Sequence, residues 1–157
     1  MTTDTHTHTR VQVSEAFPAA LSDLLRLAGT TRKIAADAGV APELIELVKI
    51  RASQLNNCAF CVDMHTREAR AAGESERRLH LIAAWRETDL FSATERTALE
   101  LTETLTRLAE TRDLPEALYD RALQVFNEQQ YAAIVHNIAM INVWNRLSVA
   151  SHKPLPE

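Results

Sequence analysis

From Pro18 onward the chain reads as a succession of amphipathic helices. Leu21, Leu24, Leu25 and Ala28 follow the i, i+3, i+4, i+7 spacing of one helix face, and Gly29 is placed as the end of that helix. A short helical piece then runs through Ile34 to Gly39. Pro42 suits the first turn of the next helix, where its missing N–H costs nothing. That helix extends to about Leu55, with Leu44, Leu47, Val48 and Leu55 on its buried stripe. Asn56 and Asn57 interrupt the pattern. Asn57 is predicted to cap a helix starting at Cys58, and Gly73 to follow its end. Ser75 is the cap of a further helix carrying Leu79, Ile82 and Ala83. Ser92 and Glu95 form a capping-box pair ahead of Ala98, Leu101, Leu105 and Leu108. Pro115 opens a segment with Leu118, Ala122, Val125 and Phe126. The last helix, about Gln130 to Ala150, is apolar on most faces (Ile134, Val135, Ile138, Met140, Ile141, Val143, Leu147). Such a helix lies centrally in a core or against another subunit.

The sequence contains no alternating strand pattern, no repeat and no internal linker. The expected architecture is therefore all-α, a single-domain helical bundle of about six to eight helices over residues 16–152. Residues 1–15, polar and Thr/His-rich, are read as a flexible tail in which His6 and His8 are solvated.

Composition supports this and narrows the function. The chain has 157 residues, 46% hydrophobic and 24% charged, with only three Gly and five Pro, a globular and helix-favouring mixture. A formal charge of −4 without a basic stripe argues against nucleic acid as a partner. No apolar signal core opens the chain and no run is long enough to span a bilayer, so a soluble, cytoplasmic protein is expected. No cofactor is implied.

The chemistry concentrates in one segment. Cys58 and Cys61 are the two cysteines, and His65 follows four residues after the second. At about 100° per residue the three side chains fall in one stripe of a helix. The first turn of that helix favours negative charge, and the thiolate is the reactive form of cysteine. Histidine supplies a group suited to moving protons near neutrality. Glu46 lies twelve residues before Cys58, on the preceding helix, and folds back as a candidate buried carboxylate of raised pKa. From the residues alone, three readings stand beside one another: a redox pair, two small buried apolar side chains, and a zinc site of Cys58, Cys61, His65 and Glu46. His80 and His136 lack such context. His136, Asn137, Asn142 and Asn145 are expected to satisfy one another or to line a subunit contact. Trp85 and Trp144 are read as core or interface anchors, and Asp63, Arg67, Glu68 and Arg70 as the solvated face or inter-subunit ion pairs.

The stretch ELIELVKIRASQLNNCAFCVDMHTREARAAGE resembles the core of the alkylhydroperoxidase D-like group in the carboxymuconolactone decarboxylase superfamily, and INVWNRLSVA resembles that group's last helix. The resemblance implies a helical fold assembling as a homo-oligomer, trimer or hexamer. It implies a thiol-dependent peroxidase in which Cys61 attacks an organic hydroperoxide or hydrogen peroxide. Cys58 then closes the disulfide and meets an external dithiol reductant, while His65 and Glu46 relay protons. The sequence departs from typical alkylhydroperoxidase D members at Phe60, where they carry a second histidine. That departure favours an alternative, a non-catalytic redox-sensing helical oligomer; a metal-binding module is the third possibility.

Overall fold

A computed structural model describes residues 10–156. Among these the order is α1 (Pro18–Asp37), α2 (Pro42–Leu55), α3 (Ala59–Ala71), α4 (Glu76–Leu81), a 3₁₀ turn (Ile82–Glu87), α5 (Ala93–Thr106), α6 (Leu108–Thr111), α7 (Glu116–Val125) and α8 (Glu128–Ser151). No strand occurs among the described residues, and the all-helical expectation holds. No helix of the described residues is long and apolar enough to cross a membrane. His6 and His8 lie outside the described residues.

Helix α2 is the hub. It packs against α3, α5 and α8, and its Leu47, Val48 and Ile50 have no exposed surface. Each such side chain contributes roughly 1.5–3 kcal/mol of apolar burial. One face of α2 (Leu44, Ile45, Val48) joins a cluster with Ala35, Leu101, Phe126 and Ile134. The opposite face (Leu47, Ile50) joins Ala69, Leu79, Ile82, Trp85 and Leu99. A helix buried on two sides carries apolar residues beyond a single stripe.

Several boundaries follow the sequence closely. Ser75 caps α4, Ser92 and Glu95 form the capping box of α5, and Gly73 follows α3 with a φ of +100°. Others differ. Helix α1 does not end at Gly29; it continues to Asp37, and the left-handed residue after it is Gly39, φ +72°. The stripe Leu24–Ala28–Thr31–Ala35 runs straight through, so packing offsets the roughly 1 kcal/mol that glycine costs within a helix. Leu25, assigned to that buried stripe, faces outward at 57% exposure. Helix α5 stops at Thr106, leaving Leu108 exposed in the separate turn α6. Helix α8 starts two residues before Gln130, because Asn127 and Gln130 form a capping box.

Residues 10–13 lie against the end of α8. The Val13 N–H donates to Ser151 Oγ at 3.0 Å, and Gln12 Nε2 donates to the Ser151 carbonyl at 3.1 Å.

Candidate active site

The turn between α2 and α3 sets the position of the cysteines. Asn57, expected as a helix N-cap, instead ends α2. It adopts the left-handed conformation (φ +53°), which asparagine tolerates better than most residues. The Cys58 N–H donates to the Ser53 carbonyl at 3.0 Å and the Asn57 N–H to the Gln54 carbonyl at 3.2 Å. This paired closure is the common C-terminal lock of a helix. Cys58 is then itself the N-cap of α3: its Sγ accepts the Cys61 N–H at 3.3 Å. One sulfur therefore occupies the position where unpaired amides and the helix dipole favour negative charge.

Cys58 and Cys61 form a disulfide, with Cα atoms 5.3 Å apart. Both residues are 1% exposed, so any reactant reaches them through a depression in the surface. One turn along α3, buried His65 places Nδ1 2.9 Å from Glu46 Oε2 on α2 and 3.2 Å from Glu68 Oε2. Lys49 Nζ donates to the other Glu46 oxygen at 2.7 Å.

Burial pushes the Glu46 carboxyl up, but the His65 hydrogen bond and the Lys49 charge together hold it below its ordinary value. The sequence expectation of a raised pKa is thus reversed, because the His65 hydrogen bond and the Lys49 charge outweigh burial. An ionised Glu46 accepts, so His65 Nδ1–H donates to it and Nε2 is the ring nitrogen outside that contact.

Cys61 and His65 line a cavity of about 430 Å³. Its walls are chiefly apolar, including Met64 from α3, Leu21 and Ala28 from α1, and Met140, Ile141 and Trp144 from α8. Trp144 is therefore a cavity wall, whereas Trp85 is core at 3% exposure. Phe60 also lines this cavity, and Lys153 Nζ lies 4.8 Å from the centre of its ring. Glu46, His65 and Glu68 form a group whose ligand-type atoms lie within 4.8 Å of one another, a set able to meet a divalent cation. The sulfurs, proposed as zinc ligands from spacing, are bonded to each other instead.

A polar clamp holds the turn from behind. Asn56 Nδ2 donates to Asn142 Oδ1 at 3.0 Å and to Asn145 Oδ1 at 2.9 Å. Asn145 Nδ2 donates to Ser53 Oγ at 3.0 Å, and Asn142 Nδ2 to Thr106 Oγ1 at 3.0 Å. His136 and the asparagines of α8 were expected to satisfy one another or to line a subunit contact; Asn142 and Asn145 meet through Asn56. Asn137 instead donates to the Thr31 and Ala133 carbonyls, and His136 is exposed and apart from the clamp.

The sequence pattern missed Lys49, Glu68 and Asn56. Glu68, read as solvated surface, is one turn after His65 on the same helix, a spacing that could have flagged it. The contact of Asn56 with α8 spans 86 and 89 residues and carries no local signal.

A helical domain with a buried cysteine pair at the start of one helix, a histidine one turn further along it and a glutamate from the preceding helix is the arrangement of the alkylhydroperoxidase D-like class. The profile of the carboxymuconolactone decarboxylase family matches residues 18–104, and the chain belongs to that family. It is 49% identical over 105 residues to the uncharacterized protein YdfG of Bacillus subtilis (strain 168), spanning 67% of this chain and 71% of that one. It is 32% identical over 113 residues to the uncharacterized protein YnjA of Escherichia coli (strain K12), spanning 72% of this chain and 61% of the relative. Among solved structures, an Agrobacterium tumefaciens protein of unknown function superposes with a TM-score of 0.85 at 33% identity, over 95% of this chain and 99% of that one; its name suggests an antioxidant-defence AhpD.

Proposed function

We propose that this protein is a thiol-dependent peroxidase that reduces an organic hydroperoxide or hydrogen peroxide through Cys61 and Cys58. The observation that carries the reading is the His65–Glu46 pair at 2.9 Å, one turn from Cys61, with Cys61 and His65 at the wall of a chiefly apolar cavity. The Cys61 thiolate attacks the distal oxygen of ROOH. Its S–O bond forms as the O–O bond breaks, and the departing alkoxide takes a proton relayed through His65, leaving ROH and a sulfenic acid. The Cys58 thiolate then attacks the sulfenic sulfur, the S–O bond breaks, the departing hydroxide takes a proton through His65 and leaves as water, and the disulfide closes. An external reductant, a dithiol or two equivalents of a monothiol, restores both thiols. Glu46, hydrogen-bonded to Nδ1, orients the ring.

Exposed Phe17 and Leu27 on and beside α1, with Val143 and Val149 on α8, support assembly into a homo-oligomer. Light scattering that returned a monomer across micromolar concentrations would remove that part of the reading.

The test is stopped-flow oxidation of the reduced protein by cumene hydroperoxide and by hydrogen peroxide, with free thiols counted before and after. Fast loss of both thiols is expected, abolished in Cys61→Ser; in Cys58→Ser a dimedone-reactive sulfenic acid accumulates. Oxidation no faster than that of a free small thiol at the same pH removes the peroxidase and favours the non-catalytic redox-sensing oligomer.

A further inference from the structure

The two sulfurs face different depressions. Cys61 lines the 430 Å³ apolar cavity, whereas Cys58 lines a second one of about 250 Å³. Phe60, Ser148 and Lys153 line both and so stand between them. Phe60 is one of the two residues between the cysteines, in the first turn of α3. Lys153 reaches it because α8 ends in a left-handed residue, His152 (φ +44°), after which the Lys153 N–H donates back to the Ser148 carbonyl at 3.0 Å. That reversal directs the lysine across the Phe60 ring, where a cation over an aromatic face is favourable.

The second depression lacks the carboxylates of the first, which Glu15 and Glu68 line. Its described walls include Asn57, His152 and Lys153 and no carboxylate, and it lies at the N-terminus of the thirteen-residue helix α3. The carbonyls ending α8, which would oppose this positive field, are already engaged. Ser148 and Val149 accept from Lys153 and His152 N–H groups, and Ala150 and Ser151 accept from Arg10 and Gln12. The volume lies below the roughly 300–1,000 Å³ typical of drug-sized sites, which suits a small molecule.

We infer that the depression at Cys58 is the reductant site and takes a small anionic thiol, separated by Phe60 and Lys153 from the peroxide cavity at Cys61. This rests on the peroxidase reading for the second half of its assignment only. In the step, a thiolate RS⁻ attacks Cys58 Sγ and an S–S bond forms. The Cys58–Cys61 bond breaks, and its electron pair leaves on Cys61, which takes a proton. A second thiolate attacks the RS sulfur of the mixed disulfide. RSSR departs, and Cys58 leaves as a thiolate and is protonated. Two thiols are oxidised and one protein disulfide is reduced.

The test is reduction of the oxidised protein, disulfide closed with diamide, by 3-mercaptopropionate, 2-mercaptoethanol and cysteamine at low ionic strength. Each rate is corrected for thiolate fraction and divided by that for a small neutral disulfide. The expected order is anionic, neutral, cationic. About a fivefold span is the size expected of one partly exposed charge, and it shrinks with added salt. Lys153→Glu reverses the order. Leu21→Trp, which narrows the other cavity, lowers the rate of oxidation by cumene hydroperoxide relative to hydrogen peroxide without altering the order among thiols. A flat order in the wild type, an unchanged order in Lys153→Glu, or a changed order in Leu21→Trp would each overturn the assignment. Ordered reduction without any peroxide oxidation would remove the peroxidase reading and leave the thiol site standing; peroxide turnover with a flat order would do the reverse.

Discussion

His65 Nδ1 and Glu46 Oε2 lie 2.9 Å apart, on helices whose meeting is fixed by the α2–α3 turn. Replacing Glu46 by Gln retains a hydrogen-bonding group and removes the charge. Thiol oxidation is expected to slow by about 10²-fold, the size of a positioned proton-transfer contribution. Because Glu46 acts through His65, the double variant Glu46→Gln/His65→Ala should be no slower than His65→Ala alone, as measured by stopped flow.

The same carboxylate makes a pH-dependent contribution to stability. Its folded-state pKa is held below the ordinary 4.5, so the unfolded chain binds its proton first on acidification. The stabilisation is therefore fully present above that ordinary value and is lost as pH falls through the lower folded one. Melting curves of wild type and Glu46→Gln should differ by a constant Tm above about pH 5.5 and converge at lower pH. A gap that instead widened on acidification would contradict the direction of the shift.

Glu68 shares the His65 nitrogen at 3.2 Å, but its side chain is 50% exposed against 14% for Glu46. Solvent screening weakens such a contact. Glu68→Gln is expected to reduce the oxidation rate by no more than about threefold, well short of the Glu46 variant, in the same assay.

Asn145 has no exposed surface and joins Asn56 to Ser53. Asn145→Ala leaves buried partners unsatisfied, a loss of about 1–3 kcal/mol. For a chain of this length each kcal/mol lowers Tm by about 2–4 °C. Ser53 also accepts the Cys58 N–H through its carbonyl, so faster amide exchange at Cys58 should accompany the lower Tm.

Glu103 ties three elements together. It accepts from Arg51 Nε at 2.7 Å and Trp85 Nε1 at 2.9 Å, and it pairs with Arg86. Burial raises its pKa, but these donors outweigh burial and lower it. Glu103→Gln is expected to destabilise by about 1–3 kcal/mol at neutral pH, read by urea denaturation. The gap should close in acid, as for Glu46.

The sequence by itself determined the helical class, most capped starts, and the spacing that lines up Cys58, Cys61 and His65. These are local properties, set by side-chain period and capping chemistry within one or two turns. Its errors arose where a local signal had two meanings. Gly29 can end a helix or be carried within one, and packing of Thr31 and Ala35 decided for the second. Asn57 can begin a helix or end one, and the hydrogen bonds into Ser53 and Gln54 made it an end.

Only the tertiary structure decided the rest of the site. The approach of α2 to α3 brought Lys49 to Glu46 and Glu46 to His65, and so set the sign of the carboxylate's shift. The return of α8, more than eighty residues later, supplied the asparagine clamp, the cavity walls and the lysine over Phe60. Such contacts depend on how helices cross, which the order of residues along each helix does not encode locally.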